Sequence, residues 1–353
     1  MSKEFAILGD THWGCRNDLP LFYGYFERFY ERMIQDLVSQ GITHVFQLGD
    51  LFDRRKYINF KTLDESKRCF FDKLKANNIH LHVLVGNHDI HMRESVDINS
   101  PSLVLGEYDN ITVYTKPTTV DYNGTSIDII PWICKDNENE IFNFIAQSKS
   151  DLCFGHFEIV SFTMYQGMES HEGLPRDMFA KYEMVCSGHY HTRSHKENIV
   201  YVGTPYEMTW QDYKDPKGYH IFNTETRALS FIQNPESTFI RIEYNDAQPI
   251  LDLNSIDLRD TFVKLVVTAK SDLYKFDNFV QRLYSKGCYE IKIIEDLTEF
   301  TEGEINEDLD LEDTIDVVSN YIDSIETTAD KDKIKTFMKS LYVEAINYST
   351  DDT

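Results

Sequence analysis

Short apolar runs alternate with longer amphipathic ones through the first third of the chain. Phe5-Ala6-Ile7-Leu8, Val45-Phe46-Gln47-Leu48 and Leu81-His82-Val83-Leu84-Val85 read as buried strands. Between the first two, Phe22, Tyr25, Phe26, Phe29, Tyr30, Met33, Ile34 and Leu37 recur at helical spacing, and Gly41 fits the C-cap. A second helical pattern covers Thr62–Ala76. Strand, helix, strand, helix, strand predicts a parallel sheet covered by helices, with ligands gathered at the carboxyl ends of the strands. The rhythm then changes. Ile111–Tyr114, Thr119–Tyr122 and Ser126–Ile130 read as short strands, the last two joined by Asn123-Gly124, a strong hairpin signal. A helix over Glu138–Gln147 precedes strands that end at Gly155-His156 and Gly188-His189. Ile199–Val202, Tyr219–Phe222 and Leu229–Ile232 complete a β-rich half. The pattern predicts an α/β (α+β) protein: a two-sheet β-sandwich flanked by helices.

Near residue 240 the organisation resets. Thr261–Thr268, Lys275–Tyr284 and Tyr289–Ile294 read as a small β-α-β unit. From Glu295 to Asp316 there are eleven acidic residues and no basic one, the composition of a solvated linker. Two amphipathic helical patterns follow, the first with Val317, Val318, Tyr321, Ile322 and Ile325, the second with Ile334, Phe337, Met338, Leu341, Tyr342, Ala345 and Ile346. The expected division is a main domain at 1–245, a small domain at 246–296, an acidic linker at 297–313 and a helical segment at 314–353.

Composition refines this picture in three ways. At 41% hydrophobic and 13% aromatic, the chain can bury a substantial core. Its six cysteines form no Cys-x-x-Cys pair and several sit in apolar runs, which favours small buried thiols over disulfides or a zinc site. The N-terminal Met1-Ser2-Lys3-Glu4 lacks a signal-peptide pattern and no apolar run is long enough to span a bilayer, so a cytoplasmic protein is expected. The net charge of −24 by itself argues against nucleic acid. The acidity is uneven, however: residues 251–353 hold 24 acidic and 11 basic side chains.

The candidate chemistry lies where the strands end. Five apolar runs are each followed by Gly and a residue able to ligate a metal: Gly9-Asp10-Thr11-His12, Gly49-Asp50, Gly86-Asn87-His88-Asp89, Gly155-His156 and Gly188-His189-Tyr190-His191. Asp10 and His12 are two apart, as are His189 and His191, so in extended chain each pair faces one side and can hold one ion. Carboxylate with imidazole suits manganese, iron or zinc rather than magnesium or calcium. Asp50 suits a bridging carboxylate, Asn87 offers an amide oxygen and His156 a further nitrogen. The set suffices for two ions about 3.5–4 Å apart, the spacing of two-metal hydrolytic sites. His88, next to Asn87, points elsewhere and suits a role at a phosphoryl group. Asp89 is expected to orient that imidazole. A lone Gly-Asp or Gly-His is usually structural, and His44, His80, His82, His91, His171, His195 and His220 lack this context. They are read as structural.

These residues resemble the ordered signature of the calcineurin-like metallophosphoesterases. Within that superfamily Gly9-Asp10-Thr11-His12-Trp13-Gly14, Gly49-Asp50-Leu51-Phe52-Asp53 and Gly203-Thr204-Pro205 resemble the SbcD-type DNA double-strand-break repair nucleases, bacteriophage members included. The resemblance extends to Ile130-Pro131-Trp132 and the acidic, helical C-terminus. It implies two manganese ions, one held by Asp10, His12, Asp50 and His191, the other by Asp50, Asn87, His156 and His189, with His88 as the catalytic histidine. It also implies a capping domain near duplex DNA, at 246–296, and a C-terminal segment docking on an SMC-like ABC ATPase. A homodimer within a heterotetramer is expected by the same analogy. The expected activity is manganese-dependent endo- and exonuclease processing of DNA ends. One departure stands out: Asp53 occupies a position where many cellular members carry a histidine, and a local ion pair with Arg54 or Arg55 is expected of it. The alternatives are a protein or nucleotide phosphatase of the same superfamily and a scaffold with a vestigial site.

Overall fold

The computed structural model describes residues 2–165, 168–170, 173–249 and 251–295, with residues 331, 334, 335 and 338. Strand β1 (Glu4–Leu8) leads through helix α1 (Pro20–Ser39) to β2 (His44–Gln47). Helix α2 (Phe60–Ser66), a π-helical stretch (Lys67–Phe71) and α3 (Asp72–Ala76) run end to end into β3 (His80–Leu84). Then come β4 (Ile111–Tyr114), β5 (Thr118–Tyr122), β6 (Thr125–Ile130), α4 (Glu138–Gln147), β7 (Leu152–His156), β8 (Met184–Gly188), β9 (Ser194–Lys196) and β10 (Ile199–Tyr201). Strands β11 (Gly218–Asn223) and β12 (Leu229–Gln233) close this part.

The strands form two six-stranded sheets, in the orders β12-β11-β1-β2-β3-β4 and β9-β10-β8-β7-β6-β5. β1 to β4 pair in parallel, and β11 and β12 add antiparallel strands at one edge. In the second sheet β6, β7, β8 and β10 are parallel neighbours. The predicted hairpin is present: Asn123 and Gly124 both have positive φ, 52° and 80°, as a type I′ turn requires.

The packing follows from strand alternation. Phe5 and Ile7 of β1 join Phe46, Ile127, Ile129, Phe154 and Phe222 in an apolar layer between the sheets. Ala6 and Leu8 face the other way, into a layer completed by Phe22, Phe26, Tyr30, Met33 and Leu37 of α1. The second sheet sends Cys153, Val185 and Ile199 outward against Ile141 and Ile145 of α4. Both faces of each central strand are therefore buried, so these strands read as continuous apolar runs. The aromatic stripe of α1 is core. The described residues include no helix long and apolar enough to cross a membrane, and all six cysteines are free, Cys288 half-buried and the others buried.

A third sheet has the order β13-β14-β15 and is wholly parallel, built of β13 (Phe239–Asn245), β14 (Phe262–Ala269) and β15 (Glu290–Ile294), with helix α5 (Leu273–Ser285) against one face. It includes Phe239–Asn245, a strand that the β-α-β run legible in the sequence leaves outside the range 246–296. The reason is that β13 reaches its partner through residues 246–261, which carry no strand or helix-length pattern. The expected acidic linker at 297–313 lies outside the described residues, as does the helical segment at 314–353 apart from four positions.

Three histidines read as structural meet at the amino ends of β2 and β3. His44 sits opposite His80 in the ladder. His44 Nδ1 lies 3.0 Å from His82 Nε2, and His82 Nδ1 lies 2.8 Å from the Tyr114 hydroxyl. Burial, reinforced by the neighbouring rings, holds the His82 pKa down to about 2 and that of His44 to about 4. An unfolded histidine titrates near 6.5, so below that pH the unfolded chain binds more protons than the folded one. Their contribution to stability is complete above about pH 6.5 and drains away as the pH falls towards 4. In urea titrations, His82→Gln should remove about 1–2 kcal/mol of the stability that wild type loses between about pH 7 and pH 5. Equal losses in the two proteins would refute this assignment.

Candidate metal centre

Five strand ends from two sheets point at one place. β1, β2 and β3 of the first sheet deliver Asp10 and His12, Asp50, and Asn87 with His88. β7 and β8 of the second deliver His156, and His189 with His191. Asp10, Asp50 and His156 are essentially inaccessible to solvent. The chain turns sharply to reach this point: His12, Asp50 and His189 all have positive φ, at 41°, 52° and 86°. Non-glycine residues in that region cost about 1–3 kcal/mol each and persist only where the surroundings dictate them. Two glycines permit the close approach. A Cβ on Gly86 would lie 2.2 Å from Asp50 Oδ1, and one on Gly188 would lie 2.5 Å from Asp10 Oδ1.

The ligand candidates named from the sequence fall in two donor clusters, and His12 also joins Asp53 and His88 in a third group. Asp10, His12 and His191 form the first; Asp50, His156 and His189 form the second. Within each, one donor atom per residue lies within 4.8 Å of the rest. His12 Nε2 is 3.1 Å from His191 Nε2, and His191 Nε2 is 4.0 Å from Asp10 Oδ2. In the second cluster His156 Nε2 is 3.2 Å from Asp50 Oδ2, and the Asn87 amide oxygen lies 2.8 Å from His156 Nε2 and 3.0 Å from His189 Nδ1. Asp50 also reaches the first cluster, with Oδ2 3.9 Å from His12 Nε2. All seven ligand candidates named from the sequence are thus brought together, with Asp50 between the two sets. Imidazole nitrogens with carboxylate and amide oxygens could hold divalent transition ions.

Backbone groups fix the orientation of these ligands. His156 Nδ1 donates to the Leu48 carbonyl at 2.8 Å, which turns Nε2 inward. Both carboxylate oxygens of Asp10 accept the His189 amide, at 3.1 and 3.0 Å. The indole of Trp132 stands 5.2 Å from the His189 ring and 5.8 Å from the His156 ring, forming an apolar wall.

The electrostatics show a site that attracts positive charge. Burial pushes the Asp10 carboxyl up to about 6, despite His156 nearby. Burial acts in the same direction on Asp50, yet His156 and His88 overcome it and hold its carboxyl well below the ordinary range. Burial also opposes a charge on His12, but Asp53, Asp50 and Asp10 raise its pKa to about 10. His156 is lifted to about 9 against burial by Asp50 and Asp10. Burial and then His156 lower His189 to about 3. Protons on His12 and His156 thus balance the buried carboxylates, and divalent cations are suited to take over that balance.

Around the catalytic candidates the structure corrects two expectations. The imidazole of His88 is oriented by a carbonyl: its Nδ1 donates to the main-chain oxygen of Asp53 at 2.6 Å. Asp89 does other work. Its buried carboxylate accepts the amides of Leu51 at 3.0 Å, Phe52 at 3.3 Å and Gly86 at 2.9 Å, tying the Gly49–Phe52 turn to the Gly86–Asp89 turn. Its short side chain is committed to backbone at both turns, which gives it a structural place rather than the orienting one expected from adjacency in sequence. Of the two neighbouring arginines expected to pair with Asp53, Arg54 is engaged elsewhere. Arg54 binds Asp18 at 2.9 Å, and Asp53 Oδ1 sits 3.3 Å from His12 Nδ1, the ring nitrogen other than the one near His191.

A carboxylate behind a ligating imidazole typically contributes about 10–100-fold to metal affinity. Asp53→Ala should therefore weaken manganese binding by about that factor in calorimetric titration, while the half-buried position leaves the fold intact. An unaltered isotherm would remove Asp53 from the centre.

Residues 3–193 match the family model described as calcineurin-like phosphoesterase. The chain is 35% identical over 341 residues to "Exonuclease subunit 1" of Enterobacteria phage T4, covering 96% of this chain and 98% of that protein. It is 25% identical over 341 residues to "DNA double-strand break repair protein Mre11" of Methanosarcina acetivorans, covering 83% of this chain and 50% of that protein. With the family model spanning the strands that carry all five motifs, and a relative aligned over nearly the whole length, the chain belongs to the calcineurin-like phosphoesterase family.

Proposed function

We propose that this chain is the nuclease subunit of a DNA recombination and break-processing complex, hydrolysing phosphodiesters at a two-manganese centre. The observation that carries the reading is Asp50, held between two donor clusters with His88 beside it. One ion would take Asp10, His12, Asp50 and His191, the other Asp50, Asn87, His156 and His189. When bound, such ions polarise a phosphoryl oxygen and supply a reactive water at neutral pH. The protein's own part lies with His88. With Nδ1 committed to the Asp53 carbonyl, Nε2 is presented to the phosphoryl group. There it hydrogen-bonds developing charge and, when protonated, gives up its proton to the leaving oxygen. Trp132 narrows the space beside His156 and His189 and limits access of bulk water.

DNA as substrate is supported by the names of the two relatives, one an exonuclease subunit and the other a break-repair protein. "Subunit" in the first name supports a partner chain, for which the resemblance suggests an SMC-like ABC ATPase docked on the C-terminal segment 314–353, with the nuclease chains paired as a homodimer. Net charge of −24 fits a protein that borrows DNA affinity from such a partner and from bound cations. The phosphatase alternative keeps the same centre and differs in substrate.

His88→Ala should reduce the turnover number on linear duplex DNA with manganese by about 10²–10⁴-fold, with metal stoichiometry unchanged. Hydrolysis confined to phosphomonoesters, with duplex DNA untouched in the presence of the partner, would overturn the nuclease reading.

A further inference from the structure

Immediately before β11 the chain carries a group of charges that no metal ligand needs by sequence position. Lys217 is 4% exposed, Asp212 is 3% exposed and Asp215 is 9% exposed. The Lys217 ammonium lies 2.6 Å from Asp212 Oδ1 and 2.8 Å from Asp215 Oδ2. Burial favours a neutral amine, but the two carboxylates overcome it and keep the group charged. A buried triad of this kind is weak evidence of stability, because the desolvation of three charges offsets their attraction. Its third hydrogen bond gives it a different use: Lys217 Nζ donates to the main-chain oxygen of His191 at 2.9 Å.

The same carbonyl accepts a second donor, the amide of Thr204 at 3.1 Å. Asp212 is itself held by the amides of Met208 and Thr209, both at 2.9 Å, in the capping box of a short 3-10 turn. Within the same segment, the Tyr206 hydroxyl donates to the main-chain oxygen of Thr11 at 2.6 Å. Thr11 stands between Asp10 and His12. Residues 203–217 therefore clamp both backbone loops that supply the Asp10, His12 and His191 cluster. The Asp50, His156 and His189 cluster is held through the Leu48 carbonyl, the Asn87 amide and, at the His189 backbone, the Asp10 carboxylate.

We infer that Lys217, fixed by Asp212 and Asp215, is a positioning residue for His191, and that residues 203–217 act on the affinity of the Asp10, His12 and His191 cluster more strongly than on that of the other. This rests on the metal-binding reading of the centre. It does not depend on the substrate being DNA. The segment also reaches the third sheet, since Glu207 Oε2 accepts the Thr238 and Phe239 amides, at 2.6 and 3.0 Å, where β13 begins.

The test is manganese binding to the full chain, read by calorimetry and by the electron paramagnetic resonance of coupled manganese, with no nuclease assay involved. Lys217→Met combined with Asp215→Asn removes the donor to His191 while keeping the net charge of the cluster, since one cation and one anion are lost together. The expected result is a selective loss: one ion bound about 10–100-fold more weakly, the other affected much less, and the signal of the coupled pair replaced by that of a single ion. A general loss of packing would shift the melting temperature without separating the two ions. Two ions bound with wild-type affinity by the folded double variant would overturn the inference. If that variant does not fold, Lys217→Arg decides the matter, because it keeps the charge and both carboxylate partners but moves the donor. Selective weakening of one ion supports the inference, and an unchanged two-ion isotherm overturns it.

Discussion

A carboxylate buried at the meeting point of two sheets is the constraint on which the rest of this structure depends. Asp50 is 2% exposed, and an isolated charge there carries a large desolvation penalty unless it is compensated. The compensation comes from both sheets: His12 from the end of β1, the His88 amide at 2.7 Å from the end of β3, and His156 from the end of β7. The sandwich must therefore close for the charge to be tolerated. Conversely, the charge fixes how the strand ends register against one another. Gly86 and Gly188 are needed for the same reason, since a methyl group at either would occupy the space of a carboxylate oxygen.

The scaffold makes this arrangement affordable in structural terms through aromatic packing beneath the site. Trp13, directly after the Asp10–His12 motif, stacks on Tyr30 with centroids 5.3 Å apart, and Phe26 stacks on Tyr206 at 4.1 Å. Tyr206 is the residue that holds Thr11. The helix stripe, the first ligand loop and the brace at 203–217 thus share one apolar layer. Positive φ at His12, Asp50 and His189 is sustained by that layer and by the backbone hydrogen bonds around it. Rigidity of the core is in this sense a property of the centre, because ligands presented from loops hold their geometry only if the loops cannot relax.

Charge shows the same dependence on assembly. A sum of −24 over the sequence argues against a polyanionic substrate, and that argument holds for a chain whose carboxylates are all solvated. Here Asp10, Asp50, Asp89 and Asp212 are buried and engaged with imidazoles, amides or an ammonium. Net charge counted along the sequence does not report the potential at the one place where a phosphodiester must approach.

The fold class, the strand ends and all seven metal-ligand candidates were legible in the sequence, because each rests on local signals. Apolar runs of strand length, a helical stripe such as Phe22 to Leu37, and glycine before a ligating residue are all patterns within a few positions. The partners of those residues were not legible. That Asp89 binds three amides, that Asp53 stands behind His12, and that His88 is oriented by a carbonyl depend on which loops meet, and adjacency in sequence suggested otherwise. Lys217, Asp212 and Tyr206 carried no signal at all, since a lysine between a proline and a glycine reads as a solvated turn. Strand β13 escaped notice because its parallel pairing with β14 is long-range. The sequence by itself determined which atoms are available to hold metal, through residue type and local spacing. Only the tertiary structure decided which of them come together and what holds them in place, because desolvation and hydrogen-bond geometry exist only once the two sheets have closed.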